Sequence, residues 1–217
     1  MKFLQVLGYV TLALALPSPA PLNDDLVFEK LDKRANTASG VIVNQIGTLV
    51  TAANTDIRNI NTALATIRQN TNAAAVVQAQ ATVKANYQAI VNAIKAATNA
   101  IAAATTGAAG GVAGSVVGLS QAEVNQLINS VNQAVTLFKN IQATLTVTAT
   151  NLTPAAQAAI SAELSSLRAA VQPFSAPITT FAQFVAAASV TARLTVNGLG
   201  AAVKGLAAIA TTIAQGV

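Results

Sequence analysis

Residues 73–105 read AAAVVQAQATVKANYQAIVNAIKAATNAIAAAT, and this stretch decides the fold. Val76, Gln80, Val83, Tyr87, Ile90, Ile94, Ala97 and Ile101 follow one another at alternating steps of four and three. Such steps keep returning to one side of a 3.6-residue helix, and Gln80 is the one polar member of the stripe. The spacing predicts a helix from Ala73 to Thr105, on the order of 45 Å long at 1.5 Å per residue.

The same pattern runs upstream. Ile46, Leu49, Val50, Ala53, Ile57, Ile60, Leu64 and Ile67 also step by threes and fours. They predict a helix that begins near Ser39, ends near Asn70-Thr71-Asn72 and has room for a bend at Asn54-Thr55. Downstream, residues 106–119 carry five glycines, and glycine costs about 1 kcal/mol against alanine inside a helix, so a connecting link is expected there. This link lacks the Lys-Ser/Thr ending of a nucleotide loop and follows no predicted strand.

Ser120-Gln121-Ala122-Glu123 fits a capping box, in which serine and glutamate satisfy free backbone N–H groups at a helix start. Leu127, Val131, Ala134, Phe138, Ile141 and Leu145 continue as the stripe of that third helix. Thr153-Pro154 starts a fourth, with threonine as cap and proline in the first turn. It carries Ile160, Leu164, Leu167 and Val171 and is stopped by Pro173. Pro177 restarts a fifth, bearing Ile178, Phe181, Phe184, Val185 and Ala188, which Asn197-Gly198-Leu199-Gly200 breaks or ends. The apolar tail beyond is too short and too polar for a glycolipid-anchor signal and reads as a last half-helix on the bundle. The fold class is all-α: an up-and-down bundle of about five helices with an apolar interior, its core within residues 39–190.

Composition agrees. Of 217 residues 49 are alanine, the strongest helix former, and only 9% are charged. Alanine buries little area, so a mean hydropathy of +0.54 does not by itself make a membrane protein. Cysteine, histidine and tryptophan are absent, which removes thiolate and imidazole as nucleophile, base or metal ligand and forbids disulfides. No cofactor is expected, and a metal site would need clustered donors that the sequence lacks.

The N-terminus is organised differently. Lys2 followed by the apolar run Phe3–Leu16 and then prolines and small residues reads as a secretory signal peptide within 1–20, cleaved after Ala15 or Ala20. Residues 21–34 hold four of the seven acidic residues and end in the dibasic pair Lys33-Arg34, which marks a removed pro-segment. The mature chain, 35–217, then starts at Ala35. It keeps Asp56, Glu123 and Glu163 against eight bases, a net charge of +5. The bases are scattered rather than gathered in a stripe, so nucleic acid is excluded as a partner. Integral membrane insertion is not expected either. Glu123 is accounted for as a cap, Asp56 pairs with Arg58 or opens a helix segment, and Glu163 and Arg168 form a solvated surface pair. With no histidine to serve as base, the chain is not expected to be an enzyme. The sequon Asn151-Leu152-Thr153 is a glycosylation candidate, weakened by the following Pro154.

The signal peptide, the Lys33-Arg34 junction, the run Asp56-Ile57-Arg58-Asn59-Ile60-Asn61 with Leu64, and the cysteine-free Ala/Thr/Val/Asn-rich helices resemble the fungal secreted hydrophobic surface-binding protein A family. That family includes antigenic cell-wall galactomannoproteins. The likeness covers about Ser39 to Val190. It implies a helical bundle that adsorbs to hydrophobic surfaces or holds fatty-acid-like lipid between its helices, either free in the extracellular medium or associated with the cell wall. A structural wall or coat mannoprotein, or a secreted antigen without a specific ligand, is the alternative.

Small side chains between long helices leave room for an elongated apolar cavity. Phe138, Leu145, Leu164, Leu167, Phe181 and Phe184 are the expected lipid lining. Lys84, Lys95, Lys139, Arg168 and Arg193 are the bases available to a ligand carboxylate at its mouth.

Overall fold

Thr37 opens the first helix. Its hydroxyl accepts a hydrogen bond from the Gly40 N–H at 3.2 Å, satisfying a donor that has no partner within the helix. The computed structural model describes residues 37–69, 72–106, 119–192 and 196–216, with side chains omitted for 188–195. The signal peptide, pro-segment, Lys33-Arg34, most of the glycine-rich link and Arg193 lie outside the described residues. The chain divides into Met1–Arg34 and Ala35–Val217, and the second unit is the bundle.

The helices are α1 (Ala38–Gln69), α2 (Ala73–Thr106), α3 (Gln121–Asn151), α4 (Pro154–Val171), α5 (Ser175–Ala192) and α6 (Asn197–Gln215), with a 3₁₀ turn at Gln172–Phe174. The two starts expected from sequence are present. Ser120 and Glu123 form the reciprocal capping box of α3, and Thr153 caps α4 with Pro154 in the first turn. α1 runs unbroken through Asn54-Thr55. Many helix-interior threonines return their hydroxyl to the carbonyl four residues back, as Thr51, Thr55, Thr62 and Thr66 do in α1. A β-branched polar residue is thereby accommodated without an unsatisfied hydroxyl.

Pro173 does less than stop the chain. Without an N–H it removes one helical hydrogen bond, and a single 3₁₀ turn absorbs the loss. Val171, Gln172 and Ser175 all keep right-handed helical backbone angles, so α4 and α5 form one kinked rod. Counted this way the described residues form five rods, α1, α2, α3, α4–α5 and α6. α1 packs against α2 and α3, α4 and α5 against α2, and α6 against α3, α4 and α5. α1 and α2 are antiparallel: three residues separate them in the chain, and Asn59, before that link, donates to Asn86, beyond it, at 3.1 Å. α3 and α6 run parallel: Gly198 abuts Ile128, and seven residues on Gly205 abuts Val135.

The C-terminal segment corrects two expectations. Asn197-Gly198-Leu199-Gly200 does not end the fifth helix but forms the first turn of α6, and the tail is a full helix of 19 residues, not a half-helix. Its Leu199, Val203, Leu206 and Ile213 are as buried as the earlier stripes, so the core extends past residue 190. The core itself holds Val83, Tyr87, Ile90, Ile94, Ala97 and Ile101 of the deciding stretch, with Val76 and Gln80 only half-buried near the helix start.

Candidate functional site

Alanine-rich helices approach closely, and the large side chains that remain fill the centre. Phe138 and Phe174 meet there with ring centroids 5.2 Å apart and planes tilted by 59°. Of the expected lipid lining, Phe138, Leu145, Leu167 and Phe181 are buried in this core, Leu164 is half-buried against it, and Phe184 stands 41% exposed on α5. None of the six is among the residues that line the four grooves described between helices. Burial followed from periodicity. The division of stripe residues between solid core and cavity depends on packing, which periodicity does not encode.

The expected carboxylate partners are likewise dispersed. Lys84 is engaged with Glu163, its Nζ 3.3 Å from Oε1, where Gln88 Nε2 also donates at 3.0 Å. Glu163 is only 6% exposed, so it is not half of a solvated surface pair with Arg168. Position 163 continues the buried α4 stripe Ile160–Leu167, and a charge on that face meets α2 rather than solvent. Arg168 is half-buried at the other end of α6, where a β-carbon on Gly216 would lie 3.6 Å from its Cζ. Lys95 and Lys139 are exposed. Asp56 sits within α1 and lines a wide groove with Ser130 and Gln133, while Arg58 donates instead to Thr55 at 3.2 Å. Partial burial raises the Asp56 carboxyl above its ordinary range. The sequon is in use at both ends: Asn151 Nδ2 donates to the Val147 carbonyl at 2.8 Å, and Thr153 caps α4.

One groove combines apolar walls with a charge. It opens between α5 and α6, has a volume of about 550 Å³, and is lined by Ala182, Val196, Leu199 and Val203 among others. Among the described residues Lys204 is the one charged residue on its wall. This volume falls within the roughly 300–1,000 Å³ usual for small-molecule sites. Sequence reasoning missed it by treating the tail as an accessory. The signal was present in the run Leu199–Ile213, which has helical apolar spacing and a single lysine. Among the described residues no group of three or more acidic side chains gathers as a metal site would require.

Comparisons with protein-family models, curated proteins and solved structures return no significant match to this chain.

Proposed function

We propose that the chain is a secreted, non-enzymatic protein that holds long-chain fatty acids or similar amphiphiles in the α5–α6 groove. The observation that carries this reading is the pairing of an apolar wall of Ala182, Leu199 and Val203 with the ammonium of Lys204. An acyl chain gains about 0.8 kcal/mol for each methylene removed from water, so ten or so methylenes supply useful affinity without further polar contacts. Lys204 then orients the carboxylate toward solvent. The reading agrees with the resemblance to fungal hydrophobic surface-binding proteins, and adsorption to hydrophobic solids belongs to the same proposal.

A ligand-free coat or wall protein is the second reading. It is favoured by a surface on which Val77, Val147 and Phe184 are the large apolar side chains exposed among the described residues. Native mass spectrometry of purified protein, followed by titration with fatty acids of increasing length, separates the two. The carrier reading expects affinity to rise with chain length and to fall several-fold in Lys204→Glu. Absence of co-purified lipid together with no dependence on chain length gives the coat reading.

A further inference from the structure

We propose that α6 is a reversibly docked helix that leaves the bundle and lays its apolar face in the interface of a phospholipid bilayer, responding to lipid packing defects rather than to lipid charge. This goes beyond the fatty-acid groove and does not depend on it.

The first observation is what α6 shows on each side. Leu199, Ala202, Val203, Leu206, Ala210 and Ile213 form its buried stripe. Its exposed side carries Gly200, Ala201, Ala208, Thr211 and Thr212 with one charge, Lys204, and an amide at each end, Asn197 and Gln215. The exposed sides of α1, α2 and α3, by contrast, bear Arg58, Arg68, Lys84, Lys95 and Lys139 with many amides. Six of its 19 residues are buried, much as in α4, so α6 differs from α1, α2 and α3 in the scarcity of charge on its exposed side rather than in how deeply it packs. Little in that surface is strongly hydrated, so moving it from water to the headgroup region costs little.

The second observation is how α6 is held. Its hydrogen bonds are internal or with its own cap, as at Thr211–Ala207, Thr212–Ala208, Leu199–Val196 and Gly216–Ile213. Among the described residues no hydrogen bond or ion pair joins it to another helix. Gly198 and Gly205 let it lie close on Ile128 and Val135 of α3, so part of the contact is made by residues with no side chain. Docking is therefore an apolar exchange without directional bonds. Acyl chains satisfy the same stripe equally well, which makes a bilayer a competitor for it.

The occupant follows from the charge pattern. A basic polar face binds anionic lipid electrostatically, whereas a helix with a Gly/Ala/Thr polar face gains its affinity from apolar insertion. Insertion of that kind is easiest where curvature opens gaps between headgroups. At 19 residues α6 is about 28 Å long and lies in the plane of the interface.

Absence of cysteine makes the test clean. A β-carbon on Gly205 would lie 3.8 Å from Val135 Cγ2, so the pair Val135→Cys with Gly205→Cys places two thiols across the α3–α6 contact. The full mature chain carrying this pair is mixed, without fatty acid, with phosphatidylcholine vesicles of small and large diameter. Reduced protein is expected to float with small neutral vesicles at least tenfold better than with large ones, and to stay bound at high salt. Oxidised protein is expected to lose this binding and regain it on reduction. Equal binding by oxidised and reduced protein, binding only to anionic vesicles at low salt, or no binding at all overturns the proposal. Ile128→Cys with Gly198→Cys is the second pair should the first fail to fold. Oxidation leaves the α5–α6 groove in place, so fatty-acid titration of the oxidised protein reports on the carrier reading separately.

Discussion

Tyr87 lies at the centre of the bundle with no exposed surface. Its hydroxyl is 2.6 Å from Thr148 Oγ1, and Thr148 in turn donates to the Thr144 carbonyl at 2.8 Å. Tyr87 is therefore the donor to Thr148, and both protons of this buried pair are used. Burial penalises the phenolate and pushes the hydroxyl up to about 12 from 10.0, with the Thr148 hydrogen bond acting weakly in the opposite direction. The folded-state value is the higher one. The stabilisation is thus complete below pH 10 and is lost as pH rises toward 12, by about 1.4 kcal/mol per unit, because the unfolded chain gives up its proton first. The midpoint of denaturant melts of the mature wild-type protein should fall as pH rises between these limits. In Tyr87→Phe this alkaline dependence should flatten, at a cost of about 1 kcal/mol near neutrality for the lost hydrogen bond. An unchanged alkaline limb in that variant would place the titrating group elsewhere.

At the scale of elements, the α2–α4 contact is pinned by Glu163. One oxygen takes both Lys84 and Gln88, while Oε2 is buried without a hydrogen-bond partner. A carboxylate so placed forfeits much of its hydration, and its ion pair offsets only part of that loss. Removing the partner and removing the charge should therefore differ in sign or size. Lys84→Ala is expected to destabilise by about 1 kcal/mol, a modest figure because Lys84 is half exposed and screened. Glu163→Met keeps the volume, discards the orphaned oxygen, and is expected to be neutral or stabilising. Thermal unfolding of the two variants decides it, and a Glu163→Met protein weaker than Lys84→Ala would mean that the clasp is a net gain. The kink at Pro173 belongs to this scale too. Both halves of that rod contact α2, and both contact α6.

For the molecule as a whole, the described bundle opens at Thr37, whose hydroxyl caps α1. We therefore expect the secreted form to begin at Ala35, after Lys33-Arg34. N-terminal sequencing of secreted protein checks this, and a start at Leu16 or Pro21 would show the dibasic pair to be unused. The stripes of α1, α2 and α3 meet in a core closed by Phe138, Phe174 and Phe181. Among the described residues, grooves open to solvent between α1 and α2, α1 and α3, and α5 and α6.

Periodicity, caps and composition determined the helices and their buried faces, because hydrophobic spacing and backbone capping act over three or four residues and need no partner. Val83 through Ile101, Leu127 through Leu145, and the Ser120–Glu123 box were legible for this reason. Only the tertiary structure decided what faces what. Glu163 looked solvent-bound beside Arg168 in the chain, yet it faces Lys84 because α4 presents that side to α2. Leu199 to Ile213 looked like a tail, yet the sequence-distant α3 supplies the surface that buries it. Whether six apolar side chains line a channel or fill a core depends on how five rods close around them, a long-range property that no short window of sequence contains.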